Sequence, residues 1–153
     1  MGAPKIDPKH PFMDGAIVTN LANGVVETLR MMAETDAIFS KPFAETNWSS
    51  PTELSVYLSV NNQNYKGQIL FHFNKNVACQ IISRMVGEDS TLASDEEILD
   101  GVGEMANIFY GAAKAKLNMI GFNLVTSIPK PCFAKNIPKR LSQNLSVVIP
   151  FTV

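Results

Sequence analysis

Residues 94–121, SDEEILDGVGEMANIFYGAAKAKLNMIG, decide how the rest of the chain is read. At about 100° per residue they form one long amphipathic helix. Asp100, Glu104, Asn107, Gly111 and Lys114 fall along one line, and Ile98, Val102, Met105, Phe109, Ala113 and Ile120 cover the opposite face. Ser94 with Glu97 three residues later has the form of a capping box, and Gly121 stands where a left-handed residue would end the helix. One face is therefore expected to pack and the other to be presented. Gly101, Gly103 and Gly111 lie inside the helix, each costing roughly 1 kcal/mol relative to alanine. A helix selected for stability alone would not carry three of them. Positions without side chains beside Glu104 and Asn107 predict a face that another surface approaches closely.

On the N-terminal side, residues 12–34 place Ile17, Leu21, Val25, Leu29 and Met32 at helical spacing, which predicts a first amphipathic helix. Residues 37–43 read as a strand that stops at Pro42. Leu54, Val56, Leu58 and Val60 alternate with Ser55, Tyr57 and Ser59. After the polar run 61–64, Tyr65, Gly67, Ile69, Phe71 and Phe73 share a face, so the two runs make a β-hairpin. Asn74 is placed to cap a short helix over 77–86, which Gly87 ends. Beyond the long helix, residues 122–128, a proline-interrupted region around Phe133, and residues 145–153 read as strands. Pro150 has no amide proton to donate, so the last strand is expected at an edge or bulged. The class that follows is α+β: one mostly antiparallel sheet with two long helices and a shorter one packed on it.

Composition narrows the function classes. The 153 residues are 46% hydrophobic, enough for one domain over 1–153 with a core of its own, of which residues 1–11 are expected to be a flexible N-terminal segment. No run approaches the roughly 18 apolar residues of a membrane span, and MGAPKIDPKHPF has no apolar signal core. A cytoplasmic protein without a membrane partner is expected. The net charge is −1 with acids and bases interspersed, which argues against nucleic acid. Cys79 and Cys132 are read as two free thiols of a reducing compartment. His10 and His72 are the only histidines and lie far apart in sequence, too few for a metal centre or a serine-hydrolase triad. Trp48 reads as a loop anchor.

The run Asp100-x3-Glu104-x2-Asn107-x3-Gly111, followed by Pro129 and Pro131, resembles the active-site helix of the CheC/CheX chemotaxis phosphatases. In that family the signature is Asp or Ser, three residues, Glu, two residues, Asn, and a proline after about twenty-two more. The resemblance extends to the element order over nearly the whole chain. It implies a pseudo-twofold duplication relating the two long helices. The first helix offers Asn20-x2-Asn23-Gly24, with Asn23 at the amide position and Asn20 where the family has Glu. A site without its carboxylate is similar to the single-site CheX branch.

What the resemblance implies is hydrolysis of the aspartyl phosphate of a phosphorylated CheY-like receiver domain. Asn107 would position the attacking water and Glu104 would dock on the receiver's lysine, with Asp100, Gly103, Gly111 and Lys114 as further contacts. The chain would need no cofactor or metal of its own, since Mg²⁺ is expected on the receiver. A homodimer is also implied, and the alternating residues 145–153 offer an edge for it. The alternative is a non-catalytic module that regulates a receiver or another chemotaxis component by occupancy.

Overall fold

The computed structural model describes residues 14–87, 94–141, 143 and 145–153; the 1–11 segment and the first residues of the expected 12–34 helix lie outside them. In chain order the elements are α1 (Gly15–Ala33), β1 (Ile38–Phe39), β2 (Phe43–Thr46), β3 (Leu54–Asn61), β4 (Lys66–Phe73), α2 (Lys75–Val86), α3 (Asp95–Met119), β5 (Val125–Thr126), β6 (Lys130–Phe133), β7 (Leu145–Val148) and β8 (Phe151–Thr152). Every strand pair is antiparallel. Among the described residues this is the expected α+β class with three α-helices, although the strands form one four-stranded sheet and two two-stranded ladders in place of one sheet.

The hairpin β3–β4 is the centre of the molecule. Its register puts Leu54 opposite Phe73, Val56 opposite Phe71 and Leu58 opposite Ile69, so the apolar residues of both strands share the face that the helices cover. Leu54 and Val56 are buried there with Leu29 and Ala33 of α1, Ala78 and Ile81 of α2, and Ile98, Val102, Met105 and Phe109 of α3, and Leu58 is buried with Ile17 of α1 and Tyr110 and Leu117 of α3. The opposite face carries Ser55, His72 and Cys132 in one row across β3, β4 and β6. Ser55 Oγ and His72 Nδ1 are 2.8 Å apart, and Trp48 packs its ring 5.4 Å from that of His72. Trp48 is thus an anchor over the back of the sheet. Cys79 and Cys132 are both free thiols.

Local signals account for the helix ends. Asn74 Oδ1 accepts from the Asn76 and Val77 amides, and Gly87 at φ 71° ends α2. Ser94 Oγ accepts from the Glu97 amide to start α3. At the other end the Phe122 amide reaches Leu117 O and the Gly121 amide reaches Asn118 O, with Gly121 at φ 93°. That is a Schellman closure, which Gly121 permits because it has no Cβ. Two residues leave the expected apolar stripes: Met32 is half exposed, and Ile120, beyond the last turn, is 61% exposed. Ile120 lies where the stripe runs past the end of the helix, whereas at Met32 the buried position of α1 is the next residue, Ala33. No helix among the described residues is long and apolar enough to cross a membrane.

The strand expected over 37–43 is two strands. β1 pairs with β8 (Ile38 with Thr152) and β2 pairs with β7 (Phe43 with Val148), and between them β1–β2 contains one more residue than the partner strand. The same interruption occurs at β5–β6, where Thr126 pairs with Val60 and Lys130 with Tyr57. At each break a serine amide crosses to the opposing strand: Ser40 to Pro150 O at 2.9 Å and Ser127 to Ser59 O at 3.0 Å. The breaks carry the same pattern, Ser40-Lys41-Pro42 and Ser127-Ile128-Pro129. Twenty-one residues separate Asn20 from Pro42 and Asn107 from Pro129, and a glycine follows each asparagine by four positions, Gly24 and Gly111. The two halves are therefore related through these corners.

Candidate active site

α3 presents Asp100, Glu104, Asn107 and Gly111 to solvent, and buries Ile98, Val102, Met105, Phe109 and Ala113 beneath them. The helix is fixed along its length. Ala113 packs against Gly24 of α1, with the backbone of Ala113 3.5 Å from where a Gly24 Cβ would be, and Lys116 Nζ lies 2.9 Å from Glu27. The backbone that carries Glu104 and Asn107 is therefore held by the packing of the helix.

Asp100, Gly103, Glu104 and Asn107 form one wall of an open groove of about 640 Å³. The other wall is Thr126, Ser127, Ile128, Pro129 and Pro131, from the corner between β5 and β6. Among the described residues, no side-chain hydrogen bond or ion pair engages Glu104 or Asn107. A carboxylate and a primary amide thus stand one turn apart, exposed and without internal partners, in a concave site. Chemically, the pair offers one negative charge and an uncharged group able to donate and accept at once. No group of three or more His, Cys, Asp or Glu side chains among the described residues is placed to hold a metal. His72 is on the far side of the sheet, where burial lowers its pKa to about 4. The Tyr110 hydroxyl is buried beside Thr126, without good hydrogen-bond geometry to any described group. Burial raises that phenol above its ordinary pKa, and the proximity of Thr126 works the other way.

The remaining candidate residues divide. Gly103 belongs to the groove, but the surface close to it is this chain's own Pro131, with Cγ 3.3 Å from where a Cβ would sit. Gly101 is turned toward α2, since a Cβ there would meet Ile82 Cδ1 at 2.5 Å. Gly111 is open. Neither Gly111 nor Lys114 lines the groove, and Lys114 is half-buried. Two of the three helix glycines therefore admit neighbours within the fold. Thr126, Ser127 and Ile128 were not among the sequence candidates; the repeated Ser-x-Pro at equal distance from Asn20 and Asn107 is the signal that finds them.

The same repeat corrects the reading of α1. Asn20, not Asn23, corresponds to Asn107, and the residue three before it, in the place of Glu104, is Ile17. Ile17 is only 5% exposed and packs with Leu58, Val60, Tyr110, Leu117 and Leu124. Asn20 and Asn23 are half-buried. The position of the first half's missing carboxylate is core.

A compact α+β protein with one solvent-facing Glu-x-x-Asn helix walled by a Ser-x-Pro corner is the class these features define. Residues 56–152 match the model of the family described as Chemotaxis phosphatase CheX, and the chain belongs to that family. The CheY-P phosphatase CheX of Thermotoga maritima is 27% identical over 109 residues, 71% of this chain and 70% of that protein. Among solved structures, a CheC-like superfamily protein from Shewanella sp. PV-4 has the same fold, with a TM-score of 0.74 and 19% identity over 92% of both chains. CheX in the CheX–CheY–BeF3–Mg²⁺ complex from Borrelia burgdorferi has a TM-score of 0.69 at 22% identity, covering 90% of this chain and 89% of that one.

Proposed function

We propose that this chain is a phosphatase that hydrolyses the aspartyl phosphate of a CheY-like response regulator, with Asn107 orienting the attacking water and Glu104 docking on the receiver's lysine. The observation that carries the reading is the exposed, internally unpartnered Glu104–Asn107 pair in a groove of a chain belonging to the Chemotaxis phosphatase CheX family. The Thermotoga relative is named for action on CheY-P, and the Borrelia relative was crystallised with CheY, BeF3 and Mg²⁺. Mg²⁺ on the receiver, together with its lysine, neutralises the phosphoryl oxygens, so charge stabilisation need not come from this chain. What it supplies is geometry. Water attacks phosphorus in line as the P–O bond to the aspartate breaks, which returns a carboxylate and releases inorganic phosphate. Asn107 holds that water through its amide, and Glu104, on the same helix face, sets the register by its charge. Asp100 and Gly103 complete the docking face. The proposed setting is the cytoplasm, where receiver signalling operates, and the proposed assembly is a homodimer.

The experiment is phosphate release from the phosphorylated receiver with this chain substoichiometric. Turnover is expected, whereas a module acting by occupancy gives none beyond its own stoichiometry. Asn107→Ala should lower kcat by 10²- to 10³-fold, about 3 to 4 kcal/mol, with docking retained. Glu104→Ala should chiefly raise KM and reduce its salt dependence. Wild-type rates from both variants would overturn the assignment.

A further inference from the structure

We infer that Ile128 is an apolar docking residue, which buries its side chain against the receiver beside the phosphorylation site and supplies much of the affinity that the polar helix face lacks. This rests on the function proposed above and deepens it.

Ile128 stands at the tip of the corner that walls the groove opposite Asp100, Glu104 and Asn107, and it is 83% exposed. An isolated exposed isoleucine is unremarkable on a protein surface. The backbone that carries this one is held on both sides. Before it, the Ser127 amide donates to Ser59 O at 3.0 Å, and Ser127 Oγ accepts from the Ser59 amide at 2.8 Å. After it, Pro129 fixes its own φ, and Pro131 rests against Gly103 of α3. A β-branched side chain on such a support has little conformational freedom left to lose, so its burial by a partner meets little opposing entropy.

The rest of the groove explains why an apolar contact is needed there. Asp100, Glu104, Asn107 and Ser127 are exposed and polar, and a charge pair formed in so open a site contributes little to affinity. These groups orient a partner better than they hold it. Ile128 and the two prolines are the apolar part of the same concave surface. The other half of the fold carries the same Ser-x-Pro corner, yet there the tip is Lys41 and the carboxylate position is the buried Ile17. The apolar tip thus accompanies the half that has Glu104.

The test is steady-state phosphate release over a range of phosphorylated receiver concentrations, with a parallel calorimetric titration of the receiver carrying BeF3 and Mg²⁺. Ile128→Ser should raise KM and Kd about tenfold or more, as expected for loss of one buried isoleucine at an interface, with kcat within about twofold. Ile128→Val should restore both constants to within about threefold of wild type. Because Ile128 is exposed, neither substitution should change the melting temperature. Unchanged KM and Kd in Ile128→Ser, with an active wild type, would overturn this inference and leave the catalytic reading intact. Binding without turnover by the wild type would fail the catalytic reading while the calorimetric arm still decides on Ile128. A wild type that neither binds nor turns over removes both.

Discussion

Burial of His72 makes a quantitative prediction about acid stability. Its imidazole lies between the Ser55 hydroxyl and the Trp48 ring on the back of the sheet, and desolvation lowers its pKa from 6.5 to about 4. The folded state therefore holds the ring neutral at pH values where the unfolded chain protonates it. Above pH 6.5 both states are neutral and the effect is absent. As pH falls from 6.5 toward 4 the unfolded state binds more protons, so stability falls; below 4 both states are charged and the loss levels off. The shift of about 2.5 units corresponds to roughly 3 kcal/mol in full, of which about 2 kcal/mol is reached at pH 5. These are upper figures, because the ring is only partly removed from solvent.

The comparison that isolates this term is wild type against His72→Gln, which does not titrate but can still hydrogen-bond Ser55 Oγ. Urea unfolding of both at pH 7.5 and pH 5.0 cancels the carboxylates they share. Wild type should lose about 1 to 2 kcal/mol more than His72→Gln between the two pH values, with unchanged m-values. Parallel losses would refute the argument, because they would mean that His72 titrates normally in the fold.

Other consequences are independent of that one. Gly101→Val should destabilise by about 1 to 3 kcal/mol in chemical denaturation because Ile82 already occupies the space. Gly111→Ala, at an open helix position, should instead stabilise by up to about 1 kcal/mol. Asn20→Ala and Asn23→Ala should leave phosphate release within about twofold of wild type, equivalent to roughly 0.4 kcal/mol on the barrier; a loss matching that of Asn107→Ala would mean two working sites. Light scattering at tens of micromolar should give the mass of a homodimer, and a monomer mass would remove that proposal.

The elements legible in the sequence are those whose signal is local. Alternation over 54–60 and 65–73 needs only one buried face, and the register of β3 with β4 shows it. Asn74, Ser94, Gly87 and Gly121 act within a turn of where they stand, so they could be read without knowing what the helices pack on. The division of 37–43 could not be read in this way. The run reads as one strand, and it splits into β1 and β2 only because Phe151 and Thr152 lie opposite the first piece and residues 145–148 opposite the second, about a hundred positions away. Periodicity places Ile120 in the stripe although the helix ends there, and it selects Met32 although the buried residue of that turn is its neighbour Ala33. The helix side of the groove was legible as a stripe, while its other wall, Thr126 to Pro129, is a corner without periodicity.

The first half of the fold shows why resemblance by residue type can slip by a turn. Asn20-x2-Asn23 imitates the spacing of Glu104-x2-Asn107, and matching the two makes the first helix look like a site that kept polarity and lost charge. The serine amides at the two strand breaks, donating to Pro150 O and Ser59 O, instead make Ser40 the counterpart of Ser127, and Asn20 then falls on Asn107 with Ile17 in place of Glu104. Ile17 is packed among Leu58, Val60 and Tyr110, so a carboxylate there would be buried without a partner, at a cost of several kcal/mol. Glu104 meets no such penalty, because α3 turns that position to solvent. Both halves retain the corner, the glycine and an asparagine, and what distinguishes them is whether the position three before the asparagine faces water or core. On these grounds the proposed single site follows from which helix turns this position to solvent, and a polar residue substituted into α1 at Ile17 would meet the core before it met the proposed receiver.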